Sequence, residues 1–453
     1  MKKIDFSKSN ILFISNEQIN IETDEYKKDG DFNRQKLREK IEPWLTAVFQ
    51  SEHLSLLIGS GLSVALTDNG SMMKRIEFEG NYKELIKNKA DEEAKNLGRG
   101  EANFEDDLRV AIDLLKGYEI QNNEEELNKL KEEISNKIKA LLNTIINNEK
   151  EYLKKINNNE LNANENSNEN NNNNDQIKKG KNLLLQLEQF LLSFSTRTAT
   201  RDRLNIFTTN YDRFIEYGLD EAGILTLDRF IGKLKPIMRF HRIDLDYHYN
   251  PPGIRGEPRY VEGVVRLTKL HGSIDWKFEG DQIVRIPLPF GANINVDFFA
   301  DPFNKVVIYP NSAKAIETAF FPYSELFRDF STAICRPNSV LVTYGYGFGD
   351  THVNRIILDM LTIPSTHLII ISYDSANGRI ENFIKQCNEA QLTLLIGKEL
   401  GNFENLTSYY LPKPAIDRIT DRQARLLEKR KIMTQTDSHN KDLLNGENNE
   451  SEF

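Results

Sequence analysis

Cysteine is almost missing from this chain. Only Cys335 and Cys387 occur among 453 residues, which excludes a four-thiolate zinc site, a disulfide framework and a Cys-x-x-Cys redox pair. An excess of basic charge is missing too. Lys plus Arg number 59 against 68 Asp plus Glu, a formal charge of −9, so no direct sequence-specific nucleic-acid binding is expected, although a local basic groove stays open. No stretch reaches the roughly 18 to 20 apolar residues that span a bilayer, and no membrane partner is expected. The opening MKKIDFSKSNILFISNEQIN has a basic start but no uninterrupted apolar core and no small-residue cleavage site, unlike a secretory signal. The expectation is a soluble, cytoplasmic protein. What is present is enough apolar material, 39% of residues, for a sizeable core. The length allows two or three domains, or one large domain carrying an insertion.

Residues 31–50 read as a helix, with Leu37, Ile41, Trp44, Leu45 and Val48 on one stripe. Leu54–Ile58 is a short apolar run that ends in glycine, the texture of a buried parallel strand. From about 81 to 200 the pattern is helical. Its longest stripe, Leu127, Leu130, Ile134, Ile138, Leu141 and Ile145, exceeds what one sheet edge needs and predicts packing against another copy or a partner. Twelve of the eighteen residues from Asn157 to Asn174 are Asn, which predicts a mobile loop. Beyond 200, short aliphatic runs at 204–207, 264–270, 305–309, 339–344, 368–373 and 392–396 alternate with helical patterns at 211–221, 323–334, 353–361 and 377–388. This alternation predicts an α/β fold, a doubly wound Rossmann-like parallel sheet with a large helical insertion after its first strand. The expected division is an N-terminal helical segment at 1–50, a Rossmann domain at 51–80 and 201–400, the insertion at 81–200, and a C-terminal helix (about 416–432) and disordered tail within 401–453.

Four patterns stand at the ends of predicted strands, the edge where open parallel sheets bind ligands. Gly59-Ser60-Gly61-Leu62-Ser63 suits either a pyrophosphate or a bare tight turn. Thr208-Thr209-Asn210-Tyr211-Asp212 reads as a helix cap by Thr209 or Asn210, or as Asn210 and Asp212 lining a cleft. In Lys269-Leu270-His271-Gly272 the histidine suits general-base work or a structural place in the core. Gly345-Tyr346-Gly347-Phe348-Gly349-Asp350 has three alternate glycines, marking a loop where backbone meets a ligand or another chain. Asp350 could cap the helix beyond, and Asp374 could cap or accept from a ribose hydroxyl.

In this order the four patterns resemble the sirtuin family of NAD-consuming enzymes, over about 54–63 and 204–396. Gly59–Ser63 resembles the family's Gly-Ala-Gly-x-Ser loop, Thr209-Asn210-Tyr211-Asp212 its Gln-Asn-x-Asp segment, and Leu270-His271-Gly272 the Leu-His-Gly that carries the catalytic histidine. The zinc cysteines of the protein deacylases are absent, as is their Gly-x-Pro-Asp-Phe-Arg stretch, and Thr209 replaces Gln. These departures make a deacylase the weaker reading and fit the divergent bacterial branch that hydrolyses NAD in anti-phage defence. The resemblance implies NAD as substrate, no metal, a homo-oligomer, and a HerA-type ATPase as partner. It implies catalytic roles for Asn210, positioning water and ribose, and for His271, acting as base or hydrogen-bond partner. Gly59, Ser60, Gly61, Ser63, Thr209, Asp212, Gly345, Gly347, Asp350 and Asp374 would bind the nucleotide. The rival readings are a non-catalytic NAD or ADP-ribose sensor controlling a defence complex, and a structural subunit of a nuclease or helicase complex.

Overall fold

The computed structural model describes residues 4–28, 30–67, 75, 78–80, 82–96, 102–161, 171–197, 201–239, 246–249, 259–292, 306–308 and 322–413. In chain order its main strands are β1 (Ile11–Ile14), β2 (Glu17–Ile19), β3 (His53–Ile58), β4 (Asn205–Thr208), β5 (Leu225–Leu227), β6 (Phe230–Ile231) and β7 (Ile237–Met238). They continue with β8 (Val264–Lys269), β9 (Gly272–Glu279), β10 (Gln282–Arg285), β11 (Val306–Ile308), β12 (Ser339–Tyr344), β13 (His367–Ser372) and β14 (Leu392–Ile396). Nine of them form one sheet in the order β2-β1-β14-β13-β12-β3-β4-β8-β5. From β14 to β5 every neighbouring pair is parallel.

The central strands β3, β12, β13 and β14 send apolar side chains to both faces, and helices cover both. Leu54, Leu56, Val340, Val342, Ile369 and Ile371 face a core completed by α1 (Arg34–Phe49) and α6 (Asn171–Ser195). Leu341, Leu368, Ile370 and Leu394 face the opposite core, built from α8 (Tyr323–Ile334), α9 (Thr351–Leu361) and α10 (Arg379–Ile384). This is the doubly wound arrangement that the alternating pattern predicts.

The N-terminal 50 residues contribute more than the expected helix. The run ILFI of β1 sends Leu12 and Ile14 to one core and Ile11 and Phe13 to the other, and pairs antiparallel with β14. Ser15 and Asn16, both at positive φ, turn it into β2 and close the sheet edge. The run at 305–309 also differs from expectation. Its described part, β11, lies outside the parallel sheet and pairs antiparallel with β9 in a second sheet of order β11-β9-β10-β7-β6. A three-residue apolar run carries no information about which sheet it joins.

Between β3 and β4 come α2 (Gly61–Leu66), α3 (Lys83–Asn96), α4 (Phe104–Ile120), α5 (Glu124–Leu161) and α6. Asn103 and Asp106 form a reciprocal cap that starts α4. α5 is 38 residues long and carries the long apolar stripe. Leu130, Ile134, Ile138, Leu141 and Ile145 are buried against Phe104, Leu108, Ala111 and Leu115 of α4 within this same chain, so the stripe is not an open face awaiting a second copy. The Asn-rich segment is shorter as a loop than expected. Residues 157–161 continue α5, 171–174 begin α6, and 162–170 lie outside the described residues. Extending a formed helix adds a hydrogen bond per residue, while Asn costs only a fraction of a kcal/mol there. The C-terminal helix and tail predicted beyond 413 also lie outside the described residues. Among the described residues no helix is long and apolar enough to cross a membrane.

Candidate active site

The chain proceeds outward from β3 to β4 and β8, then returns to the other side of β3 as β12. The direction of winding therefore reverses between β3 and β12, and crevices at such switch points are where open sheets hold ligands. The four patterns follow β12, β3, β4 and β8, which are consecutive in the sheet, so the topology gathers them along one edge.

At the switch point two glycine turns meet backbone to backbone. Gly61 N donates to Gly345 O at 3.0 Å. A Cβ on Gly59 would stand 2.5 Å from Gly345 O, and one on Gly61 would stand 2.5 Å from Gly345 Cα. Gly345 itself has φ +59°, where a side chain is strained. These three glycines thus meet one another within the chain, a packing role that the sequence reading does not assign to them. Gly347 accommodates a side chain instead: its Cβ would be 3.1 Å from Nη2 of Arg379.

Beside this seam lies a chain of buried polar groups. The Asn210 Nδ2 donates to Gly59 O at 3.0 Å and to Ser63 Oγ at 3.1 Å. Ser63 Oγ in turn donates to Asp212 Oδ2 at 2.6 Å. Because Gly59 O can only accept, the amide must present its NH2 there, which turns Asn210 Oδ1 toward other donors. Burial pushes the Asp212 carboxyl up to about 6, against the pull of Lys269 and the Ser63 hydroxyl. Lys269, buried at the end of β8, donates to the backbone oxygens of Asp212 and Tyr211 and pairs with Glu216 at 2.9 Å. Neither Thr209 nor Asn210 caps the following helix. α7 begins only at Phe214 (Phe214–Glu221), three residues later than its pattern suggests, because 209–213 is held in this polar loop.

His271 occupies a tight turn after β8, and Gly272 at φ +90° sends the chain directly into β9. Its Nε2 lies 2.9 Å from Asp350 Oδ2. The other oxygen of Asp350 accepts from the backbone of His352 and Val353, at 3.0 and 3.3 Å, and so caps α9. Asp350 therefore caps α9, one of its two expected roles, and also holds His271. A carboxylate partner requires the proton of a neutral ring to sit on Nε2, leaving Nδ1 as the basic nitrogen. The ring stands between Tyr211 and Phe327, with centroids 6.3 and 6.4 Å away.

The remaining predicted residues are placed differently. Ser60 is exposed at the start of α2, and Thr209 is half-buried with its N–H on Ile58 O at 3.3 Å. Asp374 is exposed one strand beyond the seam, where Oδ1 accepts from Ala376 N at 2.8 Å, a local turn rather than a helix cap. A cavity of about 230 Å³ lies elsewhere, lined by Asn205, Thr226, Arg229, Arg266 and others, and it shares no residue with the four loops. Among the described residues no group of His, Cys, Asp or Glu is arranged to hold a metal.

The sequence patterns leave two insertion residues unnoticed. Tyr211 donates its hydroxyl to Glu105 of α4 at 3.0 Å. Arg213 pairs with Glu149 of α5, Nη2 to Oε2 at 2.6 Å. A signal for Glu149 exists, since a carboxylate three or four places from Ile145, Ile146 and Tyr152 falls on a buried stripe, where a charge demands a partner.

Residues 204–392 match the family model described as SIR2-like domain. The matched stretch includes β4, β8 and β12 with their loops, while the sheet supplies the glycine turn at 59–63 from outside it. The match supports a sirtuin-like family and NAD-related chemistry. No curated protein matches the chain.

Proposed function

We propose that the protein is an NAD glycohydrolase, converting NAD and water to nicotinamide, ADP-ribose and a proton. The observation that carries this reading is the convergence of Asn210, Ser63 and Asp212 beside the glycine seam, with His271 on the adjacent strand end, oriented by Asp350. Water attacks C1′ of the nicotinamide ribose as the C1′–N bond breaks. The bonding pair leaves with the ring nitrogen, which was already cationic and needs no acid. The developing positive charge at the sugar is met by oriented oxygens, among them Asn210 Oδ1, which also positions the water. His271 Nδ1 accepts a proton from water or a ribose hydroxyl. Asp212 holds the carboxamide end, and the backbone around Gly59, Gly61 and Gly345 takes the pyrophosphate.

In this proposal the activity serves anti-phage defence, with a HerA-type ATPase and further copies of the chain as partners. An unrestrained NAD hydrolase would harm its own cell, so basal activity is low and rises on assembly or an infection signal. A second reading, a sensor that binds NAD or ADP-ribose without turnover, draws on the internal bonding of the site, since Asn210, Ser63 and Asp212 already satisfy one another. Incubating the purified chain, alone and with the ATPase, with NAD and following nicotinamide separates the two. Release supports hydrolysis, and saturable binding without release supports the sensor.

A further inference from the structure

The loop 210–213 alternates its side chains between two masters. Asn210 and Asp212 turn inward, to Gly59 and Ser63. Tyr211 and Arg213 turn the other way, into the helical insertion. Each outward side chain ends on a buried carboxylate. Glu105 of α4 accepts from Tyr211 at 3.0 Å. Glu149, fully buried on α5, accepts from the backbone N–H of Arg213 at 3.2 Å, from its Nε at 3.2 Å and from its Nη2 at 2.6 Å. Glu149 also accepts from Gly291 N at 3.2 Å, tying in the segment after β10. The four residues share one short, bent stretch of backbone, so the bonds that hold 211 and 213 also limit the directions open to 210 and 212.

We propose that the helical insertion positions the site, with Glu105 and Glu149 as positioning residues that hold Tyr211 and Arg213 and thereby aim Asn210 and Asp212. The activity part of this inference rests on the NAD-hydrolysis reading; the positional part does not. Movement of α4 or α5 reaches the site through these two carboxylates, which makes the insertion the natural place for a partner to raise or lower turnover. Neither carboxylate touches substrate. Burial pushes the Glu149 carboxyl above its ordinary range and Arg213 opposes the shift, so each charge of that pair depends on the other.

The test uses the full chain and the variants Tyr211→Phe, Glu105→Gln, Glu105→Ala and Glu149→Gln, each read by nicotinamide release and by amide hydrogen exchange. Tyr211→Phe removes one hydroxyl and leaves the fold intact. Misplacing a positioned group by an ångström can cost about 10²-fold in rate. Tyr211→Phe and Glu105→Ala should therefore lower kcat by about tenfold and Glu149→Gln by up to about 10²-fold, with KM nearly unchanged. Glu105→Gln, which keeps an acceptor for the Tyr211 hydroxyl, should recover most of the rate. Exchange should quicken at 209–213 and stay unchanged in β4. Wild-type kcat together with unchanged exchange at 209–213 in Tyr211→Phe and Glu149→Gln would overturn the proposal, as would loosening spread evenly through the sheet. If the unaltered chain releases no nicotinamide either alone or with the ATPase, the hydrolysis reading fails and the exchange result alone decides the positional claim.

Discussion

The two halves of the site are built on opposite principles. The seam between Gly59–Gly61 and Gly345 is backbone against backbone, with no room for a Cβ. The neighbouring loop 209–213 is also tied by its side chains, inward through Asn210 and Asp212 and outward through Tyr211 and Arg213. The seam therefore has no room for a larger residue, whereas the loop depends on the hydrogen bonds that its side chains make. Glycines in such a place carry stability, and polar residues carry aim.

Breaking the seam should have the largest effect. Gly345→Ala combines left-handed backbone strain, about 1–3 kcal/mol, with overpacking of similar size, so a loss of about 3 kcal/mol or more is expected in chemical denaturation. Gly349→Ala sharpens the comparison, because its Cβ would meet only Arg379 Nη1 at 3.9 Å; a denaturation midpoint shifted as far as that of Gly345→Ala would contradict the account. Altering the polar side should instead spare the fold and remove activity. Asn210→Ala and His271→Ala should each slow nicotinamide release by about 10²- to 10⁴-fold, with circular dichroism unchanged. Asp350→Ala comes next. It loses a helix cap worth about 1 kcal/mol and frees the imidazole, so both the melting temperature and the rate should fall moderately.

A further effect concerns pH. Asp212 has its pKa raised by burial to about 6 in the folded chain, against an ordinary value of 3.8. Between those values the folded state holds the proton more tightly than the unfolded one. This group's cost to stability is therefore fully present above about pH 6 and is relieved as pH falls toward 4. Replacing it by Asn should remove that slope, a difference on the order of 1–3 kcal/mol between pH 7 and pH 4.5. Urea midpoints of wild type and Asp212→Asn with the same pH dependence would refute it.

Much of this architecture is legible in the residues themselves. LSLLI running into glycine, SVLVTY into Gly345 and LNIF into Thr208 are apolar runs stopped by turn or polar residues, and their alternation with helices predicts the parallel sheet. What the residues do not disclose depends on distant partners. ILFI near the N-terminus says nothing of pairing antiparallel with 394–396, and nothing local shows that Gly59, Gly61 and Gly345 meet one another. The stripe from Leu127 to Ile145 reads as an open face because the helix that covers it, α4, is recognisable as a partner only once folded. Glu105 and Glu149 stay hidden for the same reason, since a carboxylate on a helix resembles a solvated one until Tyr211 and Arg213 arrive beside it. That each loop stands at the end of an apolar run is local information; the contacts among the loops are not.

The central claim is that this strand edge turns over NAD through Asn210 and His271. The most direct test measures nicotinamide release from NAD by the folded chain, alone and with the proposed ATPase, beside folded His271→Ala under the same conditions. The account predicts release by the unaltered protein and a fall of at least about 10²-fold in the variant. Equal release by both would contradict it, returning His271 to a structural place between Tyr211 and Phe327.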